Sequence, residues 1–99
     1  MSAYTIVSIR VTDPEKYAAY MALSDAAVAA AGGRFLVRGG NPKVMEGEWP
    51  RPRVVVTEFP DRAAAEAFYE SALYVKARAL REGAAEFSMI VVDGVVSPT

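Results

Sequence analysis

Two glycine pairs, Gly32-Gly33 and Gly39-Gly40, bracket the run Arg34-Phe35-Leu36-Val37-Arg38. This punctuation limits what the chain can build. The first pair stops a helix, the five residues between read as a strand, and the second pair releases that strand into a loop. Side chains alternate along a strand, so Arg34, Leu36 and Arg38 are expected on one face. Guanidinium groups on a sheet face are costly unless they meet water, a carboxylate or an anionic ligand. The run therefore points to a strand bordering a polar pocket.

The rest of the chain supplies further strands and helices. Tyr4 to Val11 alternates, with Thr5, Val7, Ile9 and Val11 on one face and Tyr4, Ile6, Ser8 and Arg10 on the other. Asp13-Pro14-Glu15 opens a helix, with Asp13 as cap and Pro14 in the first turn. That helix is expected to run to about Ala31, carrying Tyr17, Tyr20, Met21, Ser24 and Val28 at helical spacing. Asn41-Pro42 turns the chain, Lys43–Glu48 reads as a short extension or hairpin, and Trp49-Pro50-Arg51-Pro52 is extended loop. Arg53–Phe59 is the third strand, with Val54, Val56 and Glu58 opposite Arg53, Val55, Thr57 and Phe59. Pro60-Asp61 starts a second helical stretch. Its pattern shifts near Ser71 and resumes through Tyr74, Ala77, Arg78 and Arg81 to Gly83. Glu86–Val92 is the last strand, Asp93-Gly94 turns the chain, and the tail is expected to fray.

This order, β-α-β twice in series, predicts an α+β ferredoxin-like βαββαβ sandwich with a four-stranded antiparallel sheet. Helices cover one sheet face. The other is expected to hold Tyr4, Ile6, Ser8, Arg10, Leu36, Arg38 and Glu58, too apolar for full exposure and too charged for a plain core. Packing against a second copy, with a polar pocket inside, satisfies both requirements.

Composition narrows the chemistry. The 99 residues make one domain, 1–99, and 53% hydrophobic content is enough for a core. Eleven basic and twelve acidic residues leave a net charge of -1, which gives no general attraction to nucleic acid or to an anionic membrane. The chain has no cysteine and no histidine. Disulfides, thiolate nucleophiles and the commonest metal ligand and neutral-pH base are thus missing, so no metal site is expected. Any acid or base must be Asp, Glu, Lys, Tyr or bound water. The N-terminus lacks a signal-peptide pattern and no apolar stretch reaches the length of a membrane span, so a soluble cytoplasmic protein is expected.

Asp13-Pro14 with Tyr17, the run Gly32 to Gly40, Glu46-Gly47 with Trp49, Arg53 through Glu58-Phe59-Pro60, and Tyr69 with Ser71, Tyr74 and Arg81 together resemble the domain-of-unknown-function 1330 family. The likeness covers roughly residues 3–94 and belongs to the dimeric α/β-barrel superfamily. The resemblance implies a ferredoxin-like protomer and a homodimer formed through the sheet faces. Relatives in that superfamily include cofactor-independent monooxygenases and muconolactone isomerases. Members that depend on histidine are poor guides to this chain. The resemblance supplies no reaction.

Arg38 and Glu58 are the candidate catalytic residues, each polar in an otherwise apolar strand. In one reading Arg38 binds a carboxylate or enolate oxygen while Glu58 orients it or accepts a proton. In the other they form a structural ion pair on adjacent strands, at the dimer seam. Tyr4, Ser8, Arg10 and Trp49 are the candidate substrate-binding residues, Trp49 either as a lid or as an anchor on a partner subunit. Arg34 is read as a surface or interface residue. The helix tyrosines are read as packing groups with wet hydroxyls. Two functions are expected to compete. One is a small-molecule enzyme without cofactor, isomerase- or monooxygenase-like, acting on an anionic or enolisable metabolite. The other is a non-catalytic small-ligand-binding or structural homodimer.

Overall fold

The computed structural model describes residues 1–95. Its elements run β1 (Ala3–Val11), α1 (Pro14–Ala30), β2 (Arg34–Gly39), β3 (Arg53–Phe59), α2 (Arg62–Glu70), α3 (Ala72–Leu80) and β4 (Ala85–Asp93). The expected fraying of the tail beyond Val95 lies outside the described residues. The four strands form one antiparallel sheet in the order β2-β3-β1-β4, the ferredoxin-like arrangement. The helices pack on one face of it.

Local chemistry sets the helix boundaries. Asp13 Oδ1 accepts the Lys16 amide at 3.2 Å, and Asp61 Oδ1 accepts the Ala64 amide at 2.7 Å. Each carboxylate satisfies a first-turn amide that has no partner within its helix. Ser71 divides the second helical stretch. Its extended backbone ends α2, and its hydroxyl then accepts the Tyr74 amide at 3.2 Å to start α3. Gly32, at φ 76°, turns the chain out of α1. Gly33 has a different reason to lack a side chain: a Cβ there would sit 2.7 Å from the Phe59 ring.

The interior lies between sheet and helices. Val7, Ile9 and Phe59 project into it from the sheet, and Tyr17, Tyr20, Val28, Phe68 and Tyr74 from the helices. The buried residues Tyr17, Tyr20, Ser24, Ala27 and Val28 follow helical spacing along one stripe of α1. Phe59, Phe68, Tyr74 and Tyr20 form a continuous aromatic chain, with neighbouring ring centroids 4.4 to 6.0 Å apart. The expected wet hydroxyls do not hold for two of the tyrosines. Tyr20 and Tyr74 are buried and their hydroxyls bond each other at 2.7 Å, because α1 and α3 face each other across the interior.

Strand β2 departs from simple alternation. Arg34 pairs with Glu58 and Phe35 with Thr57, but Val37 then pairs with Val56 and Arg38 with Val55. Leu36 is the extra residue of a β-bulge. One inserted residue reverses the facing of all that follows. Arg34 and Val37 therefore lie on the open sheet face, and Arg38 faces the helices. The expectation that Arg34, Leu36 and Arg38 share a face is corrected. The stretch from Gly40 to Pro52 holds no strand, so Lys43–Glu48 forms neither extension nor hairpin.

Candidate functional site

The bulge separates the two residues expected to act together. Glu58 stays on the open face, where Arg34 Nε donates to its Oε1 at 2.7 Å and the Tyr4 hydroxyl to its Oε2 at 3.3 Å. Arg38 is on the helix side, bonded to Asp25 of α1 and stacked 4.4 Å from the Phe35 ring centroid. Of the two readings of an Arg38–Glu58 partnership, neither the joint site nor the mutual ion pair occurs within this protomer.

The hydrogen bond from Arg34 holds the Glu58 carboxyl below its ordinary pKa, and the Tyr4 hydroxyl adds to this. A carboxylate so held is a weaker base. The sign follows from the lowered native value. The contribution to stability is present above the ordinary carboxylate pKa and is lost as pH falls through the native one. Acid titration followed by circular dichroism is expected to show a shallower loss of stability in Arg34→Met than in the wild type. Parallel curves would remove this role for the pair.

The other expected binding residues also lie on the open face. The Arg51 guanidinium donates to Ser8 Oγ at 3.2 Å and to Ser88 Oγ at 2.7 Å, pinning the base of the proline-rich loop to the sheet. Arg10 is exposed and meets Glu86 across the strands at 3.4 Å. Trp49 is 51% exposed and lines a surface recess of about 210 Å³ with Arg10, Val44 and Arg51. Between these polar ends run Ile6, Val37, Val54, Val56, Ile90 and Val92, an apolar strip on an uncovered sheet.

The helix side holds a different constellation. A cavity of about 30 Å³, space for a water or two, lies between sheet and helices. Thr5, Tyr17, Ser24 and Thr57 give it polar walls, and Arg38 and Arg53 also border it. Arg53 projects to this side because it pairs with Ile9 in β1. Its Nε is buried without a hydrogen-bond partner, and among the described residues no carboxylate lies within ion-pair distance of it. Burial pushes the Tyr17 hydroxyl up to about 12, with Tyr20 adding to the rise and Arg53, Arg81 and Arg38 pulling the other way. Tyr17 is thus a neutral donor beside two guanidinium groups. No carboxylate lines this cavity. Among the described residues no three Asp or Glu side chains gather to hold a metal ion, and no helix is long and apolar enough to cross a membrane.

Arg53 and Tyr17 were not among the expected site residues. The signal for Arg53 was present, since it alternates in phase with Val55, Thr57 and Phe59. An arginine in phase with a buried face needs a partner or a ligand.

No curated protein matches the chain. The profile of the family described as domain of unknown function DUF1330 matches residues 2–95. A protein of unknown function from Rhodopseudomonas palustris is similar in structure, with TM-score 0.76 and 20% identity over 97% of this chain and 84% of that one. A dimeric ferredoxin-like protein of unknown function from Jannaschia sp. CCS1 gives TM-score 0.75 and 15% identity over 95% of this chain and 100% of that one. SnoaB, a cofactor-independent oxygenase from Streptomyces nogalater, gives TM-score 0.63 and 11% identity over 98% and 96%. At such identities the likeness is one of fold.

Proposed function

This chain belongs to the family of the domain of unknown function DUF1330, and from that membership and its geometry we infer a cofactor-independent small-molecule enzyme, isomerase- or monooxygenase-like, working as a homodimer. Its substrate is an anionic or enolisable metabolite, received between sheet and helices. The observation that carries this reading is the pair Arg38 and Arg53 bordering one cavity that no carboxylate lines, with Asp25 paired to Arg38 alone. An anionic oxygen placed there gains charge-assisted hydrogen bonds from the two guanidinium groups, of which the Arg53 Nε is already buried. The neutral Tyr17 hydroxyl adds a third donor. The same donors stabilise an enolate more than its parent ketone, since charge develops on that oxygen. A bound molecule needs more room than the cavity now offers. Met21 and Met89 in its walls supply it, because unbranched thioether chains repack at low cost.

The homodimer covers the open sheet face. Tyr4, Ser8, Arg10 and Glu58 then belong to the interface, and Trp49 to an arm that anchors on the second copy. The dimeric Jannaschia protein of the same fold supports this assembly.

One observation favours binding without turnover: the cavity has no carboxylate to serve as base. In that case the arginines hold an anion that leaves unchanged. A thermal-shift screen of small carboxylates and enolisable ketones decides first whether a ligand exists. The wild type is expected to be stabilised by a subset of the anions, and Arg53→Gln to lose at least part of that response while keeping its own melting transition. No response to any anion, or an unaltered response in Arg53→Gln, contradicts the site. Mass analysis of the binding compound after incubation then separates turnover from binding.

A further inference from the structure

A second opening lies between α2 and the edge strand β4. It measures about 580 Å³, within the range of small-metabolite sites. Tyr69, Met89 and Val91 give it apolar walls, and Arg81 and Glu70 bring charge to it. Arg81 is the unusual member. Its guanidinium carbon sits 3.8 Å from the Phe87 ring centroid and 5.3 Å from that of Tyr20. Its Nε is buried without a partner, and among the described residues no carboxylate lies within ion-pair distance of the group. Stacking on aromatic faces satisfies only the flat sides of a guanidinium; in its plane the group also reaches the Tyr74 hydroxyl, and its remaining donors have no carboxylate. Glu70 shares the pocket and does not reach it. Tyr69 is fixed as a wall from behind, since Arg78 donates to its hydroxyl at 2.9 Å and stacks on its ring at 4.2 Å.

We propose that this pocket binds a small carboxylate with a flat apolar body. The carboxylate pairs with the free in-plane donors of Arg81, and the body packs between Tyr69, Met89 and Val91. A planar two-oxygen anion fits because it matches the guanidinium fork, which a single oxygen would leave half used. The apolar walls select for a hydrocarbon body rather than a sugar or a phosphate ester. The pocket shares Thr5, Phe87 and Met89 with the cavity at Arg38 and Arg53, which makes the two neighbours across one wall. The proposal rests on Arg81 and does not require the reading given above for the Arg53 end.

The test uses benzoate as ligand and benzamide as its uncharged isostere, followed by amide NMR titration of the full chain. Benzoate is expected to shift amides in α2 and β4 to saturation, with benzamide weaker by roughly tenfold or more, the scale of one lost charged hydrogen bond. Arg81→Gln is expected to abolish the preference for benzoate, whereas Arg53→Gln keeps it. Equal binding of the two compounds by the wild type overturns the proposal, and that comparison needs no variant to fold. Failure of benzoate to saturate, shifts confined to the Arg38 and Arg53 end, or an unchanged preference in Arg81→Gln also overturn it.

Discussion

Val56→Glu is expected to yield a folded monomer. Val56 sits mid-strand on the open face, paired with Ile6 on one side and Val37 on the other. In an isolated protomer a glutamate there meets water, so the fold survives. In a homodimer joined through this face, two-fold symmetry brings one new carboxylate from each copy into the same apolar strip. Both must be desolvated without a partner, and like charges facing each other cost several kcal/mol more. A loss of about 4 kcal/mol weakens association roughly a thousandfold. Sedimentation of wild type and variant checks this. A variant that stays dimeric with wild-type affinity places the interface elsewhere.

Tyr74 is expected to be the most sensitive single position for stability. It is fully buried, its ring centroid lies 4.4 Å from that of Phe68, and its hydroxyl is hydrogen-bonded to that of Tyr20. Tyr74→Ala opens a large cavity in the aromatic chain and is expected to cost about 3–5 kcal/mol. For a domain whose total stability is about 5–15 kcal/mol, that approaches unfolding. Tyr74→Phe isolates the hydroxyl. It leaves Tyr20 with a buried unpaired group and is expected to cost about 1–3 kcal/mol. The double change Tyr20→Phe with Tyr74→Phe removes both partners and is expected to cost less than the sum of the single changes. Denaturant unfolding of the four proteins measures this, and strict additivity would show that the hydroxyl pair contributes nothing.

Much of the architecture was legible because its signals are local. The alternation from Tyr4 to Val11, the Asp13 and Asp61 caps, and the break at Ser71 each depend on neighbours a few residues away. Those signals lead to the observed elements and, through the handedness of β-α-β units, to the sheet order. The bulge at Leu36 had no such signal. Arg34-Phe35-Leu36-Val37-Arg38 reads as a regular strand, and only its pairing with β3 shows the extra residue. That single insertion moves Arg38 to the helix side, while Arg34, which precedes it, pairs with Glu58. The candidate site therefore changed partners although its residue types were reasonable. Arg81 was visible as part of a basic stretch with Lys76 and Arg78. Its role depends on Phe87 and Tyr20, which approach it from β4 and α1 and are remote in sequence. A charge run on a helix reads as a solvated face unless those tertiary neighbours are known.

Native mass spectrometry of freshly purified protein bears most directly on the central claim, a sheet-to-sheet dimer with an anion site between its sheet and helices. The account predicts a species of twice the 10.6 kDa chain mass, carrying a small acidic compound that Arg53→Gln does not retain. A monomer with no bound mass, unchanged at higher protein concentration, would contradict it.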